Sequence, residues 1–164
     1  MKIELKNIKY AEFASQETHC FEASVYIDGK RAGTVGNDGQ GGSNNYYPRE
    51  LWQTLKAHAE TMPGTMWKLD GNELELKPDP DTIIDNLLVE HLYSRDLKRA
   101  LSKRIVFLRD DGVLRESVGL KKEDMQKLLS DPALPTKLNA NKILNLMPFD
   151  AALLTYRAAV AAGV

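Results

Sequence analysis

Cys20-Phe21-Glu22-Ala23-Ser24-Val25-Tyr26-Ile27-Asp28-Gly29-Lys30 is the stretch that decides the architecture. Phe21, Ala23, Val25 and Ile27 recur at every second position and so share one face of a strand. Asp28-Gly29 then supplies two residues that tolerate φ > 0, as a tight hairpin turn requires. The pattern predicts a hairpin over residues 19–27 and 30–36. Upstream, residues 2–13 put Ile3 and Leu5 on one face but Ile8 and Tyr10 on the other, so the phase switches near Asn7. A bulge there reconciles the segment with a third antiparallel strand. The Asp-Gly signal recurs at Asp70-Gly71, between Met66–Leu69 and Glu73–Lys77, and at Asp111-Gly112, between Ile105–Asp110 and Val113–Ser117. These signals read either as hairpins of a largely antiparallel sheet, which we favour, or as exposed turns between unrelated elements.

The helices are marked by their ends. Pro48 suits a first helical position ahead of Arg49–Glu60, and Met62-Pro63-Gly64 ends that run. Asp79 reads as the N-cap of a longer helix that reaches about Lys103, with acids early and bases late as the macrodipole favours. Shorter helices are expected at Lys121–Leu129 and Phe149–Ala162, on either side of a region interrupted at Pro132, Pro135 and Pro148. The expectation is one α+β domain over residues 1–164: an antiparallel sheet built from hairpins and packed with several helices.

Composition narrows the classes of function. Twenty-two basic and twenty-three acidic residues give a formal charge of −1, so any polyanion site must be local. The one cysteine, Cys20, excludes an intramolecular disulfide and fits a reducing compartment. The opening residues lack the apolar core and cleavage site of a signal peptide, and no apolar run approaches a membrane span. The expected location is the cytoplasm, with no membrane partner and an open oligomeric state.

The run Gly36-Asn37-Asp38-Gly39-Gln40-Gly41-Gly42-Ser43-Asn44-Asn45-Tyr46-Tyr47-Pro48 holds four of the eleven glycines. Ordering glycine is entropically expensive, so such a loop is expected to approach something closely. Its N–H groups, followed by a helix N-terminus, form an anion-binding concavity in which Ser43, Asn44 and Asn45 donate and Tyr46 and Tyr47 stack. The pattern is neither a phosphate-loop nor a dinucleotide signature. A plain surface connection rich in turn formers is the competing reading. Tyr26, on the strand face shared with Cys20, Glu22 and Ser24, is a further candidate contact.

A basic run, Arg95, Lys98, Arg99, Lys103 and Arg104, offers a nucleic-acid alternative, although cations in the last turns of a helix are also what the dipole prefers. His19, Cys20, His58 and His91 show no metal-ligand spacing, and neither a metal nor a cofactor is expected. Asp110-Asp111-Gly112 is explained by turn chemistry alone.

The runs Cys20–Lys30, Asn37–Gly42, Arg95–Leu101 and Ile143-Leu144-Asn145-Leu146-Met147-Pro148-Phe149 together resemble a family of small soluble proteins carried by bacteriophages, prophages and plasmids. The resemblance spans nearly the whole chain. It implies a protein that acts on the host from the cytoplasm of a bacterial host cell, for example as an inhibitor that counters a defence factor or by capturing a nucleotide signal. No catalytic residue is carried over from it. The leading expectation is a non-enzymatic binding protein whose recognition surface is residues 36–47, with Asn37, Asp38, Gly39, Gly41, Gly42, Ser43, Asn44, Asn45, Tyr46, Tyr47 and Tyr26 as contacts. Its target is a host protein or a small anionic ligand. The alternatives are a phosphate- or nucleotide-handling enzyme, using the same loop with Glu22, Tyr26 or His19 in proton transfer, and a nucleic-acid binder using the basic helix.

Overall fold

β1 (Ile3–Tyr10), β2 (Cys20–Ile27) and β3 (Lys30–Asp38) pair antiparallel in that order in the computed structural model, which describes residues 1–69 and 72–163. The turn chemistry is used as expected: Asp28 and Gly29 sit at φ 49° and 82°, which a two-residue hairpin needs. The bulge is also present. Asn7 lies at φ 53°, and the register of β1 against β2 shifts between Lys6 and Lys9. That shift lets a sequence with two hydrophobic phases follow one partner strand.

The chain divides into two units, Met1–Val89 and Glu90–Val164. In the first, β3 runs further than its alternation indicates, to Asp38, and a fourth strand, β4 (Asn45–Tyr47), returns along Thr34–Gly36. The glycine-rich segment is thereby shortened to a six-residue connection, Gly39–Asn44. Helix α1 (Arg49–Ala59) follows, with Leu51, Leu55 and Ala59 forming one buried stripe at i, i+4 and i+8. Gly33 allows its close approach: a Cβ there would collide with the Tyr47 carbonyl oxygen and lie 2.9 Å from Pro48 and 3.0 Å from Leu51. Phe21, Ala23, Val25 and Val35 of the strands are buried as well, each large aliphatic side chain contributing roughly 2 kcal/mol.

β5 (Thr65–Leu69) and β6 (Asn72–Leu76) form a separate antiparallel pair, and the Asp70-Gly71 turn expected between them lies outside the described residues. Helix α2 (Pro80–Leu101) starts in the first unit. Asp79 caps it as expected: its Oδ1 accepts the Thr82 N–H at 2.7 Å and the Thr82 hydroxyl at 2.6 Å. Ile84 and Leu88 of its first turns are fully buried.

In the second unit β7 (Val106–Arg109) pairs with β8 (Leu114–Glu116) around Gly112, whose φ is 81°. Two elements there carry no sequence signal: a short helix, α4 (Leu134–Leu138), after α3 (Lys122–Leu129), and β9 (Ala140–Ile143), which adds to the other edge of β7. Leu97, Val106, Leu144 and Ala152 form one core cluster, the last of them from α5 (Phe149–Ala161). The fold is α+β, with antiparallel sheets and five helices among the described residues. None of these helices is long and apolar enough to cross a membrane.

Candidate functional site

The first unit contains an open cleft of about 430 Å³. One wall is the connection between β1 and β2, presenting Glu12, Ser15, Gln16, Glu17, Thr18 and His19. The facing wall comes from the glycine segment through Asn37, Gly42 and Asn44, while Asp81 and Asp85 project from the first turns of α2. Tyr10 completes the lining, its ring edge-on to His19 with centroids 5.8 Å apart.

Asn37 is the node that holds these pieces together. It is 8% exposed. Its Oδ1 accepts from the Thr18 hydroxyl at 2.7 Å and from the Gly39 N–H at 2.9 Å. Its amide donates to the Gly42 carbonyl and to Asn44 Oδ1, both at 3.2 Å. All four hydrogen-bonding positions of the side chain are thus filled, which also fixes which end is oxygen. Asn44 extends the network to α2. Its backbone N–H donates to Asp81 Oδ1 at 3.3 Å and its side-chain amide to Asp85 Oδ1 at 3.2 Å. The Tyr46 hydroxyl donates to the same Asp81 oxygen at 2.6 Å.

The glycines work toward the same end. The Gly39 carbonyl accepts the N–H groups of Gln16, Glu17 and Thr18 at 2.9, 3.0 and 3.4 Å, clipping the two walls together. Gly39 lies at φ 85°, and a Cβ on it would strike the Ala14 carbonyl. The Gln40 N–H goes to Asp38 and the Gly41 N–H to the Thr18 hydroxyl. Four of the six N–H groups from Gly39 to Asn44 are therefore consumed inside the protein.

Charge in the cleft is one-sided. Glu12, Glu17, Asp81 and Asp85 are carboxylates, His19 is the only potential cation, and no lysine or arginine is among the described lining residues. Asp85 is exposed to the cleft, yet desolvation by the flanking walls, reinforced by Asp81, pushes its carboxyl above the usual range against the opposing pull of Asn44. Burial, with the hydrogen bond to Asp81, raises the Tyr46 phenol far beyond its ordinary value, so it stays a donor.

Of the residues expected to make contacts, Asn37, Gly42 and Asn44 line the cleft, Gly39, Gly41 and Tyr46 brace it, and Asp38 caps Gln40. Ser43 and Asn45 are exposed, Asn45 opposite Gly36 in the ladder. Tyr47 is 77% exposed and belongs to a shallow groove with Arg31 and Pro48. Tyr26 is not at the cleft: it lies opposite Glu4 and Arg31, with the Lys6 ammonium 4.3 Å from its ring centre. In the basic run of the second unit, Arg95 pairs with Asp96 at 2.9 Å, Arg104 pairs with Glu116 at 2.5 Å, and Lys98 lies 5.0 Å from the Phe149 ring centre. The cleft residues missed in the sequence are Tyr10, Glu12, Ser15, Gln16, Glu17, Thr18, Asp81 and Asp85. The available signal was Asp81 and Asp85, like charges four residues apart on one helix face, a pairing that costs stability unless something offsets it.

Together the fold and the cleft define an α+β protein with a preorganised, carboxylate-lined recess. No family model, curated protein or solved structure matches the chain.

Proposed function

We propose that this is a non-enzymatic binding protein of a phage or other mobile element, which engages a host protein stoichiometrically through the cleft and its rim. The observation that carries the reading is Phe13. It sits on the same single turn as Glu12, which lines the cleft, and it is 93% exposed. A large ring held in water beside a recess whose walls are already locked is the anatomy of an interface anchor. Aromatic residues carry a disproportionate share of binding energy, and a preorganised surface loses little entropy on binding.

The electrostatics favour a protein partner over the small anion expected from the loop alone. Most loop N–H groups are spent, and an anion entering the cleft would meet four carboxylates. The raised Asp85 carboxyl beside His19 supports a second reading, an acid–base enzyme, which predicts turnover.

The test is native mass spectrometry of the protein purified gently from bacterial cells, wild type against Phe13→Ala. The expected result is a host protein bound at fixed stoichiometry to the wild type and lost from the variant, which keeps its fold because Phe13 is almost wholly exposed. A retained mass of a few hundred daltons, unchanged by Phe13→Ala, would overturn the reading.

A further inference from the structure

We infer that the chain forms a two-fold dimer in which the outer edge of β1 pairs antiparallel with the same edge of a second copy, joining two four-stranded sheets into one. The pairing uses residues Ile3–Asn7, none of which lines the cleft, and it is independent of the partner-protein reading above. An unpaired strand edge makes it possible, and the order of charges along that edge selects the occupant.

β1 lies at the end of the order β1-β2-β3-β4, so among the described residues no strand pairs with its outer edge. The Asp28 N–H donates to the Lys2 carbonyl at 2.8 Å, and the register continues with Ile3 opposite Ile27, Glu4 opposite Tyr26, Leu5 opposite Val25 and Lys6 opposite Ser24. An antiparallel ladder alternates, so Lys2, Glu4 and Lys6 turn their backbone groups to β2 while those of Ile3 and Leu5 point outward. Such an edge is a template for a further strand unless proline, a bulge, charge or a covering element blunts it. β1 contains no proline, and its bulge at Asn7 comes after these residues and ends the regular stretch.

The charges then decide the register. Two copies related by a two-fold axis keep like faces together, so the pairing must centre on one residue that opposes itself. Centred on Glu4, it sets Glu4 against Glu4 and Lys2 against Lys6; centred on Lys6, it sets Lys6 against Lys6 and runs into the bulge. Centred on Ile3, it draws in Met1 and Lys2, which precede the strand, and leaves Lys6 unopposed. Centred on Leu5, it opposes Glu4 to Lys6 twice, once on each side of the axis, within the regular stretch. Opposite charges facing each other across strands stabilise the pair and like charges destabilise it. Among the described residues Lys6 has no carboxylate within 4.0 Å, and its ammonium lies 4.3 Å from the Tyr26 ring centre. Pairing gives it one. Glu4 already has Lys2 at 3.1 Å and would stand between that cation and Lys6 of the second copy. On the other face, Ile3 and Leu5 are only half-buried although they lie opposite Ile27 and the fully buried Val25. Leu5 against Leu5 of the second copy continues that apolar row across the axis. An unrelated strand would offer the same backbone bonds, but a second copy brings the matching charge order by symmetry.

The test is analytical ultracentrifugation of the full chain across a dilution series. The wild type should sediment as a dimer that dissociates on dilution. Lys6→Glu and Glu4→Lys each turn both attractions across the axis into repulsions, so each should weaken dimerisation by about ten-fold or more. Both positions lie on the face away from Val25, and circular dichroism should show each variant folded. An equimolar mixture of the two variants should dimerise again, since each supplies the charge the other lacks, and so should the double variant Glu4→Lys/Lys6→Glu. A purely structural defect would not be rescued by mixing. In hydrogen exchange of the wild type, the Leu5 amide should be protected at high concentration and lose that protection on dilution, while the Glu4 amide, turned to β2, should not respond. A chain that stays monomeric at every concentration, a dimer indifferent to both single variants, a mixture of folded variants that stays monomeric, or a dimer broken by Lys2→Glu but not by Lys6→Glu would each overturn the assignment.

Discussion

Replacing Asn37 isolates the element that makes the cleft a fixed shape. In Asn37→Ala four hydrogen bonds disappear together: two accepted, from the Thr18 hydroxyl and the Gly39 N–H, and two donated, to the Gly42 carbonyl and Asn44 Oδ1. Each is worth about 1 kcal/mol net, and an orphaned buried group costs more. Water from the cleft can reach Gly42, which is exposed, and the Thr18 hydroxyl can rotate toward it, whereas Gly39 is buried. The expected loss is about 2–3 kcal/mol. With a urea slope of about 2 kcal/mol per M, the midpoint falls by roughly 1–1.5 M at unchanged slope. Amide hydrogen exchange at Gly39 and Gly41 should accelerate in step. Asn37→Asp separates hydrogen bonding from size. It keeps both accepted bonds but sets lone pairs against the Gly42 carbonyl and Asn44 Oδ1, beside four carboxylates. It should be at least as destabilised as the alanine variant at pH 7 and recover toward pH 3, where its carboxyl can donate. An alanine variant within about 0.5 kcal/mol of wild type, the range of an ordinary surface change, would refute the reasoning.

Other substitutions probe neighbouring parts of the same network. Gly42→Ala faces open space at φ 84° and should cost only the left-handed penalty of about 1–2 kcal/mol, whereas Gly39→Ala also strikes the Ala14 carbonyl and should exceed about 3 kcal/mol; equal midpoint shifts in urea would contradict the clip. Tyr46→Phe removes one bond to a charged acceptor that keeps another donor, for a loss of about 1.5 kcal/mol by the same assay. The pH profile separates two aspartates of opposite sign. Asp85, raised in the fold by desolvation, contributes stability below its unfolded value that is lost as pH rises through its folded value, so Asp85→Asn should gain on wild type as pH climbs above about 4. Asp79, lowered by its bonds from Thr82, contributes stability above its unfolded value that is lost as pH falls through its folded value, so Asp79→Asn should flatten the acid limb; variants that both run parallel to wild type from pH 2 to 7 would exclude these assignments.

What could be read in advance was whatever local chemistry dictates. The turn at Asp28-Gly29, the bulge at Asn7 and the cap at Asp79 each depend on residues within a few positions of one another, and each forms as expected. β4 and β9 are three and four residues long and carry no alternation of their own. They exist because an edge of β3 and an edge of β7 have hydrogen-bonding groups to satisfy, which is a property of the assembled sheet. The same distinction divides the site. The glycine segment is conspicuous because its backbone needs are local. Its partners, Thr18 nineteen residues before Asn37 and Asp85 forty-one residues after Asn44, are brought to it only by the fold.

That separation changes what the glycine segment means. Read alone, its N–H groups form a cradle for an anion; folded, they serve Asn37, Asp38, Thr18 and Asp81, and the surface left over is negative. The cost of holding Asp81 and Asp85 a turn apart is met in part by the donors of Asn44 and Tyr46. Those donors hold one oxygen of each carboxylate, so the network that stabilises the loop also sets Asp81 and Asp85 in the lining of the cleft. A structural network and a recognition surface made from the same atoms predict coupling. Changes that loosen Tyr46 should therefore weaken capture of the partner even though that side chain need not touch it, and a Tyr46→Phe variant that is less stable yet retains the partner undiminished in native mass spectrometry would separate the two roles.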